Sequence, residues 1–466
     1  MDNRSLERGI FLILGANLIN LVISLLTNFV LPKYLSVESY AYIKTYQLYL
    51  NYIGILHLGF ADGLYLKYGG KSKKDIVSVD LASELSTIRI FQMLVSLGAI
   101  VFAFIFKDKV LMVIALSILP YNMANCFKGV CQATGDFKFY SLIIKANTLM
   151  LFCVNIVLLI LRNDNYFIYI SCYCVVYIVV WLILEESFRR KILGSVKLYR
   201  SFLPRVFFTN IKNGMFLMLG NFCSLIMVGM DRWFVKVLMN TTAFAQYSFS
   251  VSMVSFLNYA VTPVTTTLYN YFCQGRTNNE IVNVRRMILL FSSALISCAY
   301  PAKFILDVYL PKYIEAADSL FILFAAQLFF IIVQSIYTNL YKAQKRQREY
   351  FIKLCLVVVV GVILNWLCFE VYPVKEAFAI GTLLSAMFWL VLCQIDFNNV
   401  SMKFNEIIYM ILTIGVFLCA GYLLGAISGC IVYCVTVVFC ARIFMHKEFK
   451  QIICLLKMLM RKKIRM

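Results

Sequence analysis

Apolar runs of about 18 residues or more return along the whole chain, each long enough to cross about 30 Å of hydrocarbon as an α-helix, with short polar connectors between them. They predict helices over 9–31, 40–61, 85–106, 109–130, 141–161 and 165–186, and then, past a polar and basic connector, over 209–237, 242–271, 287–306 and 318–340. Four more follow over 350–371, 375–395, 404–424 and 427–445. The expected fold class is an all-α integral membrane protein of about fourteen transmembrane helices. The first run is too long for the apolar region of a secretory signal and lacks a small-residue cleavage site, so it is expected to remain as a helix. None of the connectors is long enough to hold a domain with its own core.

Residues 187–208 are the longest hydrophilic stretch and divide the first twelve helices into six and six. The expected organisation is an N-terminal six-helix bundle (1–186), a basic cytoplasmic connector (187–208), a second six-helix bundle (209–395), an additional helix pair (396–445) and a basic cytoplasmic tail (446–466). Short words echo between the bundles at an offset of about 205 residues: Leu50-Asn51-Tyr52 with Leu257-Asn258-Tyr259, and Leu64-Tyr65 with Leu268-Tyr269. An even number of helices per half makes this a parallel repeat about an axis along the membrane normal, with the substrate path expected between the halves.

Composition agrees with this pattern: 62% of residues are hydrophobic and 14% charged, against about 45–50% and about 25% in soluble chains. The net charge of +21 could suggest nucleic acid, but the Lys and Arg lie in alternate connectors. With the N-terminus inside, the cytoplasmic connectors hold Lys67, Lys71, Lys73 and Lys74, then Arg189, Arg190, Lys191, Lys197, Arg200 and Arg205, then Arg276, Arg285 and Arg286, and then Lys342, Lys345, Arg346 and Arg348. The outer connectors carry scattered charges such as Lys33, Lys107, Lys312 and Lys375. Such asymmetry sets orientation during insertion and places both termini in the cytoplasm, with attraction to anionic membrane lipids as a by-product. No nucleic-acid partner is expected. The sixteen cysteines lie mostly within apolar runs, where a thiol is a small hydrophobe. With only His57 and His446 as histidines, neither a metal site nor a cofactor is expected. Gly70-Lys71-Ser72 resembles the end of a phosphate-binding loop but lacks its first glycine and its strand.

Polar side chains inside hydrocarbon are costly and face a bundle interior or a wet cavity. Asn17, Asn20, Ser24 and Asn28 share one face of the first helix, and Lys44, Gln47, Asn51 and Asp62 follow along the second. Asn213, Gly220, Ser224 and Asp231 mark the seventh helix. Ser248, Ser252, Ser255, Tyr259, Thr262 and Thr266 mark the eighth, where Pro263 is able to bend the chain. Such stripes either line one cavity or cement helix packing. Lys44, Arg89, Lys128 and Lys145 are cations within or near the ends of helices; they either snorkel to the headgroups or serve a cavity, and Lys44 is the strongest cavity candidate because Gln47 and Asn51 share its face. Asp231 either pairs with Arg232 or binds a coupling proton or sodium ion.

The stretch Leu31-Pro-Lys-Tyr-Leu35 with Tyr40-Ala-Tyr42, and then Gly59-Phe-Ala-Asp62-Gly63-Leu-Tyr-Leu-Lys67-Tyr-Gly69-Gly70, resembles bacterial polysaccharide transporters, the O-antigen flippases of the multidrug/oligosaccharidyl-lipid/polysaccharide exporter superfamily. Met230-Asp231-Arg232 leading to Tyr247 and Pro263 is similar to the start of that family's second half. The resemblance covers essentially the whole chain. It implies a flippase moving an undecaprenyl-pyrophosphate-linked oligosaccharide, an O-antigen or capsule unit, across the bacterial inner membrane by alternating access. It also leaves room for a polysaccharide polymerase and other assembly proteins as partners. Peptidoglycan-precursor flippases of the superfamily carry several arginines on the first two membrane helices, where only Lys44 stands here; that favours an O-antigen or capsule unit. A multidrug-type cation antiporter is the alternative on the same scaffold, and would need an acidic cavity. A polymerase would need a large outward loop bearing arginines or carboxylates, which the chain lacks, so no catalytic residues are expected.

Overall fold

The computed structural model describes residues 21–69, 77–134, 136–190, 202–451 and 454. Among them every regular element is helical. Eleven helices are long and apolar enough to cross a membrane, which makes the chain a multi-pass membrane protein and leaves only the first, second and eighth expected spans. The first is described from Leu21 to Tyr34 (α1). The other two are interrupted helices, which explains why neither counts as one long span.

The chain divides into two compact units, Met1–Leu225 and Ile226–Met466. In unit 1, α2 (Val37–Tyr52) runs into a 3₁₀ turn (Ile53–His57) and then α3 (Phe60–Tyr68). The remaining helices are α4 (Ser78–Phe106), α5 (Lys109–Ala133), α6 (Phe137–Ile160), α7 (Tyr166–Phe188) and the first part of α8 (Pro204–Leu238). Helix starts carry their own caps: Ser36 accepts from the Ser39 amide, Asp108 from those of Val110 and Leu111, and Asn165 from that of Phe167. Helix α5 is the centre of this unit and packs on α3, α4 and α7. Around it Phe60, Leu85, Ile88, Phe127, Leu184 and Phe207 form a buried core.

Unit 2 continues α8 and adds α9 (Thr241–Ser255), α10 (Leu257–Phe272), α11 (Asn278–Ile296), α12 (Ala299–Tyr309) and α13 (Ala316–Ile332). A π turn (Val333–Tyr337) leads to α14 (Thr338–Ala343), followed by α15 (Gln347–Val371), α16 (Lys375–Asp396), α17 (Phe404–Leu423) and α18 (Ala426–Phe444). The α13–α14 span is the core of the unit, with 89% of its most apolar window buried. The interruption of the eighth expected helix falls at Phe256, two turns before Pro263, which lies inside α10. The two units are thus alike in breaking the helix that follows their first.

The additional pair α17–α18 is fastened to unit 2 along its length. An aromatic cluster joins Tyr300, Phe321, Phe417 and Tyr433, with ring centroids between 5.1 and 5.8 Å apart for the contacting pairs. At one end Lys303 donates to the carbonyls of Gly421 (2.6 Å) and Leu424 (2.9 Å). At the other, Arg285 and Arg286 of α11 both reach the Glu406 carboxylate, and Arg286 also reaches Glu448 at 2.9 Å.

Candidate functional site

The break in unit 1 is built by backbone conformation and paid for by neighbouring side chains. Leu58 (φ 52°) and Gly59 (φ 84°) are both left-handed, a conformation costly for leucine and free for glycine. Carbonyls released by the break would cost several kcal/mol each if left bare in hydrocarbon. Gln92 of α4 donates to Leu56 O (3.1 Å), and Asn122 of α5 donates to Ile53 O (3.3 Å) and to the Gln92 side chain (2.8 Å). His57 Nδ1 accepts the Gly59 amide at 3.1 Å.

Beyond the break, α3 crosses α8 at backbone contact. A methyl group added at Gly63 would lie 2.2 Å from Asn210 O, and one at Gly214 would lie 2.1 Å from Gly59 O and 2.3 Å from Gly63 N. The spacing Gly59-x-x-x-Gly63 puts both small residues on the touching face, as in close transmembrane crossings. Two polar groups stand beside this contact. Asp62 accepts from Asn221 (3.2 Å) and lies 3.8 Å from His57 Nε2. Glu84 is 3% exposed and accepts from Lys67 (2.6 Å), Tyr68 (2.7 Å) and Asn210 (3.5 Å). Hydropathy does not disclose these pairings, because each joins residues from separate helices.

Of the cavity residues expected on the first helix, Asn17 and Asn20 lie outside the described residues. Asn28 donates to Ser24 O at 2.9 Å and accepts from Lys44 Nζ at 2.8 Å, so two candidates from different helices meet. Lys44 also lies 5.2 Å from the Tyr40 ring centroid. Gln47 is half-buried and Asn51 exposed. Arg89 is committed to Glu185, which also accepts from Trp181 at 2.8 Å. Lys128 on α5 and Lys145 on α6 are half-buried and form no ion pair among the described residues.

In unit 2, Asp231 is 2% exposed and accepts from Tyr247 (2.7 Å), Thr382 (3.4 Å) and the Arg232 backbone amide (2.7 Å). Ser252 and Ser255 turn their hydroxyls back on their own helix, donating to Ser248 O (2.7 Å) and Ser252 O (2.6 Å). Tyr259 is half-buried beyond the break. No group of three or more His, Cys, Asp or Glu side chains is placed to hold a metal ion among the described residues.

The described chain is an all-helical, polytopic membrane fold with interrupted spans and buried polar groups. The chain is similar to the lipid II flippase MurJ in an inward closed conformation, with a TM-score of 0.72 at 11% identity, over 92% of this chain and 98% of that one. It is also similar to an inward-facing multidrug resistance MATE family transporter of the MOP superfamily, with a TM-score of 0.58 at 11% identity, over 83% and 95% of the two chains. No protein-family model and no curated protein matches the sequence. The likeness is one of fold, and it is the fold to which the sequence resemblance points.

Proposed function

We propose that the protein is a flippase for a lipid-linked oligosaccharide, an O-antigen or capsule unit on undecaprenyl pyrophosphate, in the bacterial inner membrane with both termini in the cytoplasm. The observation that carries the reading is a contrast among the cations that the helices carry. Arg89, Arg285, Arg286, Lys353 and Lys375 each lie beside a carboxylate. Among the described residues Lys128 and Lys145 have none. A cation in low dielectric needs an anion, and a pyrophosphate headgroup supplies one. The polar faces of α1 and α2 offer hydrogen bonds to the sugars while the isoprenoid tail stays in lipid.

Asp231 is the residue for the coupling proton or sodium ion: a buried carboxylate held by two hydroxyls and a backbone amide. Ion binding there would drive alternating access between inward and outward states of two parallel six-helix bundles. A cation exporter on the same scaffold would need carboxylates where Lys44, Lys128 and Lys145 stand.

The test is made in cells deleted for the gene. Surface polymer should vanish while single lipid-linked units accumulate on the inner leaflet, and Lys128→Ala with Lys145→Ala should fail to restore it. Unchanged surface polymer, or units accumulating on the outer leaflet, would overturn the proposal.

A further inference from the structure

Unit 2 carries a cavity of about 380 Å³ lined by Glu315, Asp318, Tyr372, Lys375, Glu376 and Tyr422, with Ile322 and Ile380 as its apolar part, within the roughly 300–1,000 Å³ range of small-molecule sites. It is formed where α13 and α16 begin and α15 and α17 end. The opposite end of the same unit holds Arg276, Arg285, Arg286, Lys342, Arg346 and Lys353. By the rule that places Lys and Arg in the cytoplasm, the cavity faces outward.

Its chemistry is specific. Lys375 is 8% exposed, and its ammonium is already bound to Gln246, with Glu315 at 3.6 Å and Glu376 at 3.8 Å. That one cation is set against three carboxylates, so the cavity is net negative. Ser319 donates to Glu376 at 3.2 Å, and Tyr422 is tethered through its hydroxyl to Asp318 O at 3.1 Å. The Tyr372 and Tyr422 side chains are 56% and 45% exposed. Exposed phenol rings give an apolar platform with a polar tip, and ionised carboxylates are strong acceptors for hydroxyl donors. A metal ion is a poor fit, since among the described residues no such group of side chains is placed to hold one.

We propose that this cavity binds an uncharged sugar residue of a saccharide on the outer side of the membrane. The C–H face of a pyranose lies on the tyrosines while its hydroxyls donate to Glu315, Asp318 and Glu376. The negative balance rejects uronic and sialic acids. The choice of a saccharide rests on the flippase reading, under which glycan is delivered to this face; the site would hold the delivered unit after it leaves the membrane-embedded path.

The experiment uses the full chain in lipid nanodiscs and saturation-transfer NMR. The probes are neutral hexoses, N-acetylhexosamines, hexuronic acids, and the oligosaccharide released by mild acid from the host's own surface polysaccharide. The wild type should bind the neutral probes at least tenfold more tightly than the uronic acids. Tyr372→Ala should weaken binding about tenfold and Glu315→Gln several-fold, with melting unchanged, whereas Glu349→Gln at the opposite end should leave it as it was. No saturation transfer from any saccharide, equal binding of uronic acids, or binding that Tyr372→Ala and Glu315→Gln both leave intact would overturn the site. The two readings fail separately. If deletion abolishes surface polymer and the nanodiscs bind no sugar, only the site falls. If sugar binds at the cavity and deletion changes nothing, only the flippase reading falls.

Discussion

Replacing Glu406 by alanine removes the anion on which two arginines converge. Arg285 is 0% exposed and Glu406 is 1% exposed. The four side chains Arg285, Arg286, Glu406 and Glu448 form a neutral set, with Glu406 on both arginines and Glu448 on Arg286 alone. Glu406→Ala therefore strands the Arg285 guanidinium in the interior, while Arg286 keeps Glu448. Removing one partner of a buried pair costs about 3–5 kcal/mol. At roughly 2–4 °C per kcal/mol for a unit of this size, the melting point should fall by about 10 °C. The double variant Arg285→Met with Glu406→Leu removes the stranded charge and fills the space, so most of the loss should return. The assay uses the protein's own thiols. Cys393 and Cys440 are free and buried in unit 2, and Cys126, Cys131 and Cys174 in unit 1, so in a protein with the three unit 1 thiols replaced by alanine and the exposed thiols blocked, a thiol-reactive dye reports opening of unit 2 during heating. A Glu406→Ala protein melting within about 2 °C of wild type, or a double variant no better than the single, would refute the reasoning.

Gly63→Ala and Gly214→Ala each drive a methyl group into backbone that cannot yield; each should cost at least about 1–3 kcal/mol and abolish complementation, with Gly220→Ala, which meets nothing within 4 Å, as the silent control. Asn122→Leu uncovers Ile53 O and one bond of Gln92, an expected loss of about 1–3 kcal/mol, seen as faster amide exchange around Ile53–Gly59; unchanged exchange would exclude the capping role. Asp231→Asn should leave melting within a few degrees but abolish the response of transport to the coupling-ion gradient, read in proteoliposomes by headgroup accessibility. An ion-responsive Asp231→Asn protein would remove that residue from the coupling role.

Helix existence was legible because hydrocarbon imposes one rule on every span: about 20 apolar residues with their backbone satisfied internally. The long spans from α4 to α8 and from α11 to α18 follow from it. The breaks were not, since no proline stands at Leu58-Gly59 or Ser255-Phe256, and what stabilises the first break lies elsewhere, on Gln92 and Asn122. Pro263 was a visible signal for a bend, but the interruption lies two turns earlier. The same limit applies to polar stripes. Spacing put Asn28 and Lys44 on faces, and their meeting at 2.8 Å needed the fold. Arg89 looked no different from Lys128 in sequence, and the position of Glu185 is what sets it apart from a lysine with no ion pair among the described residues. Glu406 and Glu448 were silent for the same reason, because a carboxylate's partner more than a hundred residues away leaves no local trace.

The burial of α13 constrains the order in which unit 2 can be assembled during synthesis. Beyond its C-terminal end, two polar side chains of the π turn and α14 find a partner already made: Asn339 donates to Thr265 O at 2.8 Å, and Ser335 meets the Thr265 hydroxyl at 3.0 Å, on α10. The surface of α13 is covered on one side by α9 and α11, made before it, and on the other by α16 and α17, which leave the ribosome afterwards. While those helices are being made, lipid must wet the flank of α13 that they will later cover. Lipid can do this at little cost, being as apolar as the side chains that replace it. The late helices therefore displace lipid from that flank, and they also bring the carboxylates that earlier helices await, Glu376 of α16 for Ser319 and Glu406 of α17 for Arg285.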